Sequence, residues 1–273
     1  MRSDTYEDIG GVGSAVKKAL EIGYRHLDCA SFYANEKEVG TAIQESGVAR
    51  SELFITGKVW NNCQGYDLTR QSFEQSLSDL GIGYFDLFLV HWPLPGLFTE
   101  TYRALEDLHK EGKVKSLGLS NFTMEDYEVL SKTMTIAPVC NQIEVNPLLY
   151  RKETIDFYQQ KNIVVVAYKP LGASKVLKNV TILEIAAKYP NLTPGQLCIK
   201  WGVQNGLSVL PKSSNMERMT ANLNIYGQDQ IISDEDMEVL NGMCGPESMD
   251  AWRKHYDSRR GGDPPPGYSE GKE

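Results

Sequence analysis

Short apolar, β-branched runs alternate with longer amphipathic stretches almost to the end of this chain, a rhythm that few architectures tolerate. The runs expected to form strands are Tyr24–Asp28, Leu53–Lys58, Phe85–His91, Ser116–Ser120, Cys140–Glu144, Val164–Tyr168 and Leu207–Pro211. Between them the apolar spacing predicts helices over Val12–Ile22, Glu36–Ser46, Leu68–Leu80, Thr99–Lys110, Met124–Met134, Lys152–Lys161 and Thr193–Asn205. Punctuation supports the division. Thr193 places a capping hydroxyl ahead of Pro194, Thr123 precedes acidic residues, and Gly23, Gly81, Gly112 and Gly206 fall where helices should stop. Strand–helix alternation at this spacing implies right-handed βαβ units and a parallel sheet.

An open doubly wound sheet and a closed barrel both satisfy that pattern. No GxGxxG follows the first strand, which weighs against a nucleotide-binding open sheet. Gly10–Gly13 is glycine-rich but follows no expected strand, and reads as a loop. A chain of 273 residues matches one barrel in size. The expectation is therefore an α/β protein, a (β/α)8 TIM barrel spanning residues 1–256 as a single domain, followed by a polar tail over 257–273. Only seven strands are recognisable, so the first strand is expected to be missing or reduced to a stub around Thr5-Tyr6.

Bulk properties exclude some functions. A net charge of −8 opposes non-specific nucleic-acid binding, which needs a basic face. No window approaches the ~20 apolar residues of a membrane span, and the N-terminal residues lack the apolar core of a signal peptide. Cys29, Cys63, Cys140, Cys198 and Cys244 show no paired spacing and read as free thiols of a reducing compartment. A cytoplasmic monomer or weak homo-oligomer is expected, with no nucleic-acid or membrane partner. His26, His91, His109 and His255 lack metal-ligand spacing, and no metal is expected.

In a parallel barrel, chemistry sits at the C-terminal ends of strands. Here those ends carry Asp28, Lys58, His91, Ser120 with Asn121, Gln142 with Glu144, Tyr168 and Lys212. A buried Asp and a buried Lys are each costly unless they meet. If they do, Lys58 is held charged and lowers the pKa of a neighbouring phenol, for which Tyr33 is suitably placed. Such a tyrosine can protonate a carbonyl oxygen as hydride reaches the carbon, with His91 polarising the same oxygen. Each residue alone has a structural explanation: a helix N-cap for Asp28, a surface lysine for Lys58, a satisfied core histidine for His91. The conjunction is what points to chemistry.

Longer motifs surround these residues. Gly23-Tyr24-Arg25-His26-Leu27-Asp28-Cys29-Ala30 with Tyr33-Ala34-Asn35-Glu36 closely resembles the first signature of the aldo-keto reductases. Asp86-Leu87-Phe88-Leu89-Val90-His91-Trp92-Pro93, Gly118-Leu119-Ser120-Asn121-Phe122 and Asn141-Gln142-Ile143-Glu144 resemble later family motifs, in order. Leu210-Pro211-Lys212-Ser213, followed by Arg218 and Asn222, is similar to the family's cofactor motif. The resemblance extends from about Val12 to about Met243.

It implies a catalytic quartet of Asp28, Tyr33, Lys58 and His91, the set already reached from the strand ends. It further implies that Ser120, Asn121 and Gln142 hold a nicotinamide carboxamide and that Tyr168 stacks on its ring. Lys212, Ser213, Ser214 and Arg218 would surround an adenosine 2′-phosphate, and Leu171 and Asn222 complete the cofactor positions. A Lys, an Arg and hydroxyls suit an anionic phosphate, so NADPH/NADP+ is the expected cofactor. Trp60 and Trp92 match substrate-pocket positions, or serve as rim packing. The implied activity is reduction of a small-molecule carbonyl substrate, namely an aldehyde, a ketone or an open-chain sugar. The alternative is a barrel that binds NADPH with little turnover because its N-terminal strand is incomplete. Three departures stand out: the family's opening hairpin is missing or reduced, Lys169 replaces a common serine, and Ala221 replaces a common acidic residue.

Overall fold

Phe54–Val59 and Phe85–Val90 are buried along nearly their whole lengths, and burial on both faces is what a helix-covered parallel strand requires. They are β2 and β3 of a computed structural model that describes residues 11–172, 175–227 and 230–261. The chain divides into two compact units, Met1–Cys140 with Tyr256–Glu273, and Asn141–His255. The first unit runs α1 (Gly11–Ile22), β1 (His26–Asp28), α2 (Glu36–Ser46), β2, α3 (Tyr66–Leu80), β3, α4 (Phe98–Lys110), β4 (Val114–Ser120) and α5 (Met124–Leu130). The second runs β5 (Cys140–Glu144, its first residue in the first unit), α6 (Lys152–Gln160), β6 (Val164–Tyr168), α7 (Val180–Ala187), α8 (Pro194–Gln204), β7 (Ser208–Leu210), α9 (Met216–Leu223), α10 (Asp234–Asn241) and α11 (Pro246–Arg260). The last turn of α11 belongs to the first unit.

In the first unit the strands lie in chain order, β1-β2-β3-β4, all parallel. Gly57 and Gly118 allow this close assembly. A Cβ on Gly57 would fall 2.5 Å from the Phe88 ring, and one on Gly118 would fall 2.6 Å from Leu89. Phe73, Phe85 and Phe88 pack edge to face in the space that Gly57 leaves. In the second unit β5, β6 and β7 follow in order, with β6 and β7 parallel. The expected caps are present. Thr123 and Thr193 each close a capping box, and Gly81 ends α3 in the left-handed conformation at φ 62°.

Element boundaries differ from expectation for local reasons. Tyr24 and Leu207 donate their backbone N–H to the preceding helices, at Ala19 and Gly202, so β1 and β7 begin later than the apolar runs do. Pro211 has no N–H to offer, and β7 stops before it. The helix expected to reach Met134 ends at Leu130. Beyond it the buried Glu106 carboxylate accepts the N–H groups of Thr135 and Ile136 at 2.5 and 2.7 Å and turns the chain. Gly11–Gly13, expected as loop, opens α1 instead. A Cβ on Gly13 would lie 3.6 Å from the Glu38 carbonyl oxygen, an ordinary contact, so α1 packs against α2 here without requiring a glycine. Helix α11 crosses the boundary expected at residue 256 and continues to Arg260. The stub expected at Thr5-Tyr6, and Gly10, lie outside the described residues. No helix among the described residues is long and apolar enough to cross a membrane.

Candidate active site

The first unit gathers Asp28, Tyr33, Lys58 and His91. Asp28 ends β1, and Lys58 sits one residue before the end of β2 with its side chain wholly buried. The Lys58 ammonium donates to Asp28 Oδ2 at 2.6 Å and to the Cys29 carbonyl at 2.9 Å. Burial by itself would depress this amine. The Asp28 carboxylate, and the Tyr33 phenolate once it forms, outweigh it and hold the pKa above the ordinary lysine value. A short 3-10 turn, Ser31–Tyr33, ends at Ala34 in the left-handed region at φ 53°, and it places the Tyr33 ring centroid 5.3 Å from Lys58 Nζ. Ser31 donates to the Lys58 carbonyl at 3.2 Å and ties that turn to β2.

The Tyr33 phenol is raised above its usual pKa. Burial is the main cause, and hydrogen bonding and attraction to Lys58 oppose it without overcoming it. This corrects the expectation that Lys58 pulls the phenol toward neutrality: desolvation of the phenolate is the stronger effect in this site. His91 is buried, its Nδ1 has no hydrogen-bond partner among the described residues, and its pKa lies well below the ordinary imidazole value because of burial and then of the Lys58 charge. The imidazole is therefore neutral. Its ring stands 6.1 Å from that of Tyr33, nearly perpendicular to it.

Asn121 follows β4 at φ 62°, a conformation asparagine tolerates. It donates to the His91 carbonyl at 3.0 Å and to Ser120 Oγ at 3.1 Å, so both amide-motif residues are joined to the backbone beside the quartet. Trp60 stands 4.9 Å from His91, edge to face, and stacks on Phe32 at 3.8 Å. Trp92 packs beside Tyr256, at 6.2 Å, while its carbonyl accepts from Gln64. The last turn of α11 closes over this region. Arg259 lies 5.8 Å from the rings of both Phe32 and Trp60, and its carbonyl accepts from Asn61 at 2.8 Å.

The second unit carries the remaining expected positions. Gln142 is buried within β5, and Tyr168 ends β6. Leu171 approaches Gly195 at the start of α8, where a Cβ would meet it at 3.9 Å. Lys169, at φ 49°, directs its amine to Glu144 at 2.9 Å. Lys212 follows β7, and its pKa is lowered by burial and then by repulsion from Arg218. Asn215 caps α9 by accepting the Arg218 N–H at 2.9 Å, and it bonds back to Ser213. Ser214 lies in the turn between them, and Asn222 is buried on α9. Two cations that repel each other beside a helix N-terminus are a suitable seat for a phosphate.

Comparison with known proteins settles the family. The family model described as Aldo/keto reductase family matches residues 12–243. The chain belongs to the aldo/keto reductase family. It is 42% identical over 235 residues to a glyoxal reductase of Bacillus subtilis (strain 168), covering 86% of this chain and 84% of that one. It superposes on a solved aldo/keto reductase from Brucella melitensis with a TM-score of 0.80 at 41% identity, covering 85% of this chain and 89% of the other. A Bombyx mori aldo-keto reductase solved in complex with NADP gives a TM-score of 0.79 at 32% identity, covering 85% and 82%. The fold is thus the (β/α)8 barrel class of this family, with seven of its strands among the described residues.

Two side chains at the mouth of this aldo/keto reductase's quartet had no sequence signal. Phe32 is one apolar residue in a loop. Arg259 falls beyond the last expected element, and only the fold of α11 brings it to Trp60.

Proposed function

We propose that this aldo/keto reductase reduces the carbonyl of small aldehydes, ketones or open-chain sugars, using NADPH as hydride donor and Tyr33 as proton donor. The observation that carries the reading is the buried Asp28–Lys58 pair beside the Tyr33 hydroxyl, with a neutral His91 across from it. The bound cofactor supplies hydride to the carbonyl carbon. Tyr33 gives its proton to the carbonyl oxygen, and the Lys58 ammonium, kept charged by Asp28, stabilises the phenolate left behind. A ring N–H of His91 orients that oxygen, and burial of His91 keeps it from competing as a charged acid. Trp60 and Phe32 wall off water on one side of the reacting group.

For the cofactor, the cations Lys212 and Arg218 with Ser213 and Ser214 would hold the 2′-phosphate. The repulsion that lowers Lys212 is relieved when an anion joins the two. Ser120, Asn121 and Gln142 would hold the carboxamide, Tyr168 the nicotinamide face, and Leu171 and Asn222 the rest of the nucleotide. Trp60 and Trp92 would line the substrate pocket, Trp92 with its other side against Tyr256.

The deciding experiment follows loss of NADPH absorbance with para-nitrobenzaldehyde, alongside NADPH binding by fluorescence. Carbonyl-dependent turnover supports the reductase. Tight NADPH binding without turnover would replace it with a binding barrel.

A further inference from the structure

We propose that Arg259 is a carboxylate seat at the mouth of the catalytic pocket, and that the preferred substrates are carbonyl compounds bearing a carboxylate. The proposal deepens the reductase reading and rests on it. The last turn of α11 carries two adjacent arginines with different roles. Arg260 is committed: it pairs with Asp126 at 3.2 Å and donates to the Pro93 carbonyl at 3.2 Å, while Tyr256 also donates to Asp126. The backbone of Arg259 is committed too, through Asn61. These bonds fix the turn against the loops that carry Trp60 and Trp92.

The side chain of Arg259 is left for another partner. Among the described residues no carboxylate pairs with it. Its Cζ lies 5.8 Å from the centroids of both Phe32 and Trp60, near the outer limit of ~6 Å for cation–π attraction, so the rings do not use its N–H donors. The guanidinium is half-buried, and its charge reaches His91, where it adds to the effects that keep the imidazole neutral. A half-buried cation at an aromatic wall leading to a carbonyl-reducing site suits an anion carried by the substrate. A single planar guanidinium fork matches a planar carboxylate in bidentate fashion. Among the described residues, Lys58 is another cation acting on His91, and it is taken by Asp28. The substrate then lies along the Trp60–Phe32 stack, with its carbonyl at Tyr33 and its carboxylate at Arg259.

The test compares kcat/KM for para-carboxybenzaldehyde and para-nitrobenzaldehyde, probes of similar size and shape, in the wild type and in Arg259→Met and Arg259→Lys. The expected result is a carboxy-to-nitro ratio that falls about tenfold or more in Arg259→Met, through KM, and is partly restored in Arg259→Lys. In the wild type the ratio should also fall with added salt. A ratio unchanged within twofold in Arg259→Met would overturn the seat and leave Arg259 a packing residue. If the wild type turns over neither aldehyde, the reductase reading fails separately. Calorimetric binding of para-carboxybenzaldehyde to wild type and Arg259→Met then still decides the seat: weaker binding in the variant upholds it, and equal binding refutes it.

Discussion

Lys58 Nζ lies 2.6 Å from Asp28 Oδ2 in a pocket where the lysine side chain has no solvent contact at all. Removing one member of such a pair strands the other as a buried charge, at a cost of about 3 kcal/mol or more. Asp28→Asn is expected to lower stability by that order in urea denaturation and to reduce kcat at least ~100-fold. The folded pKa of Lys58 is raised, so its stabilising contribution is complete below the unfolded value of about 10.4 and is lost as pH rises through the higher folded value. The wild type should therefore lose stability at alkaline pH more steeply than Asp28→Asn does.

Two pKa directions set the pH dependence of turnover. Burial keeps Tyr33 protonated beyond its ordinary value near 10, and His91 neutral well below its ordinary 6.5. Reduction should stay flat from about pH 8 down to about pH 6, with no loss where an ordinary histidine protonates. The reverse oxidation of an alcohol needs the phenolate, and should climb about tenfold per pH unit across the same range until Tyr33 titrates. A reductive profile that breaks near the ordinary histidine pKa would contradict a neutral His91.

Gly57 precedes Lys58 on β2 and faces Phe88 on β3. An added methyl would fall 2.5 Å from the Phe88 ring and 2.7 Å from that of Phe85, both fully buried. Gly57→Ala is expected to cost about 1–3 kcal/mol by overpacking, measured as a lower urea midpoint. An unchanged midpoint would mean that the aromatic cluster yields freely.

Arg218 repels Lys212, and neither repulsion nor phosphate attraction matters for a cofactor without the 2′-phosphate. Arg218→Ala should raise the Kd for NADPH about tenfold or more while changing that for NADH much less. Equal losses for both cofactors would remove the phosphate role.

The quartet was legible in the sequence because each member sits at or just beyond the end of a short apolar run, and such runs are local patterns. The helices α1 through α6 were legible for the same reason, from apolar spacing and caps. Four helices, α7 and α9 to α11, were missed although Asn179, Asn215 and Ser233 cap the first three, because α7, α9 and α10 run only eight residues each and α11 buries a single side chain, Tyr256. The pKa direction of Tyr33 was not legible. It is a contest between burial and Lys58, and a sequence gives the neighbour but not the depth. Arg259 was hidden for a related reason: its partners Phe32, Trp60 and Asn61 are far away in the chain, and no local signal joins them.

The most direct test of the proton-donor assignment is the Tyr33→Phe variant, measured by NADPH oxidation with para-nitrobenzaldehyde and by NADPH binding. The expected result is a fall in kcat of about 100- to 10,000-fold with the Kd for NADPH little changed. Turnover comparable to the wild type would contradict it, and Tyr33 would no longer be the group that delivers the proton.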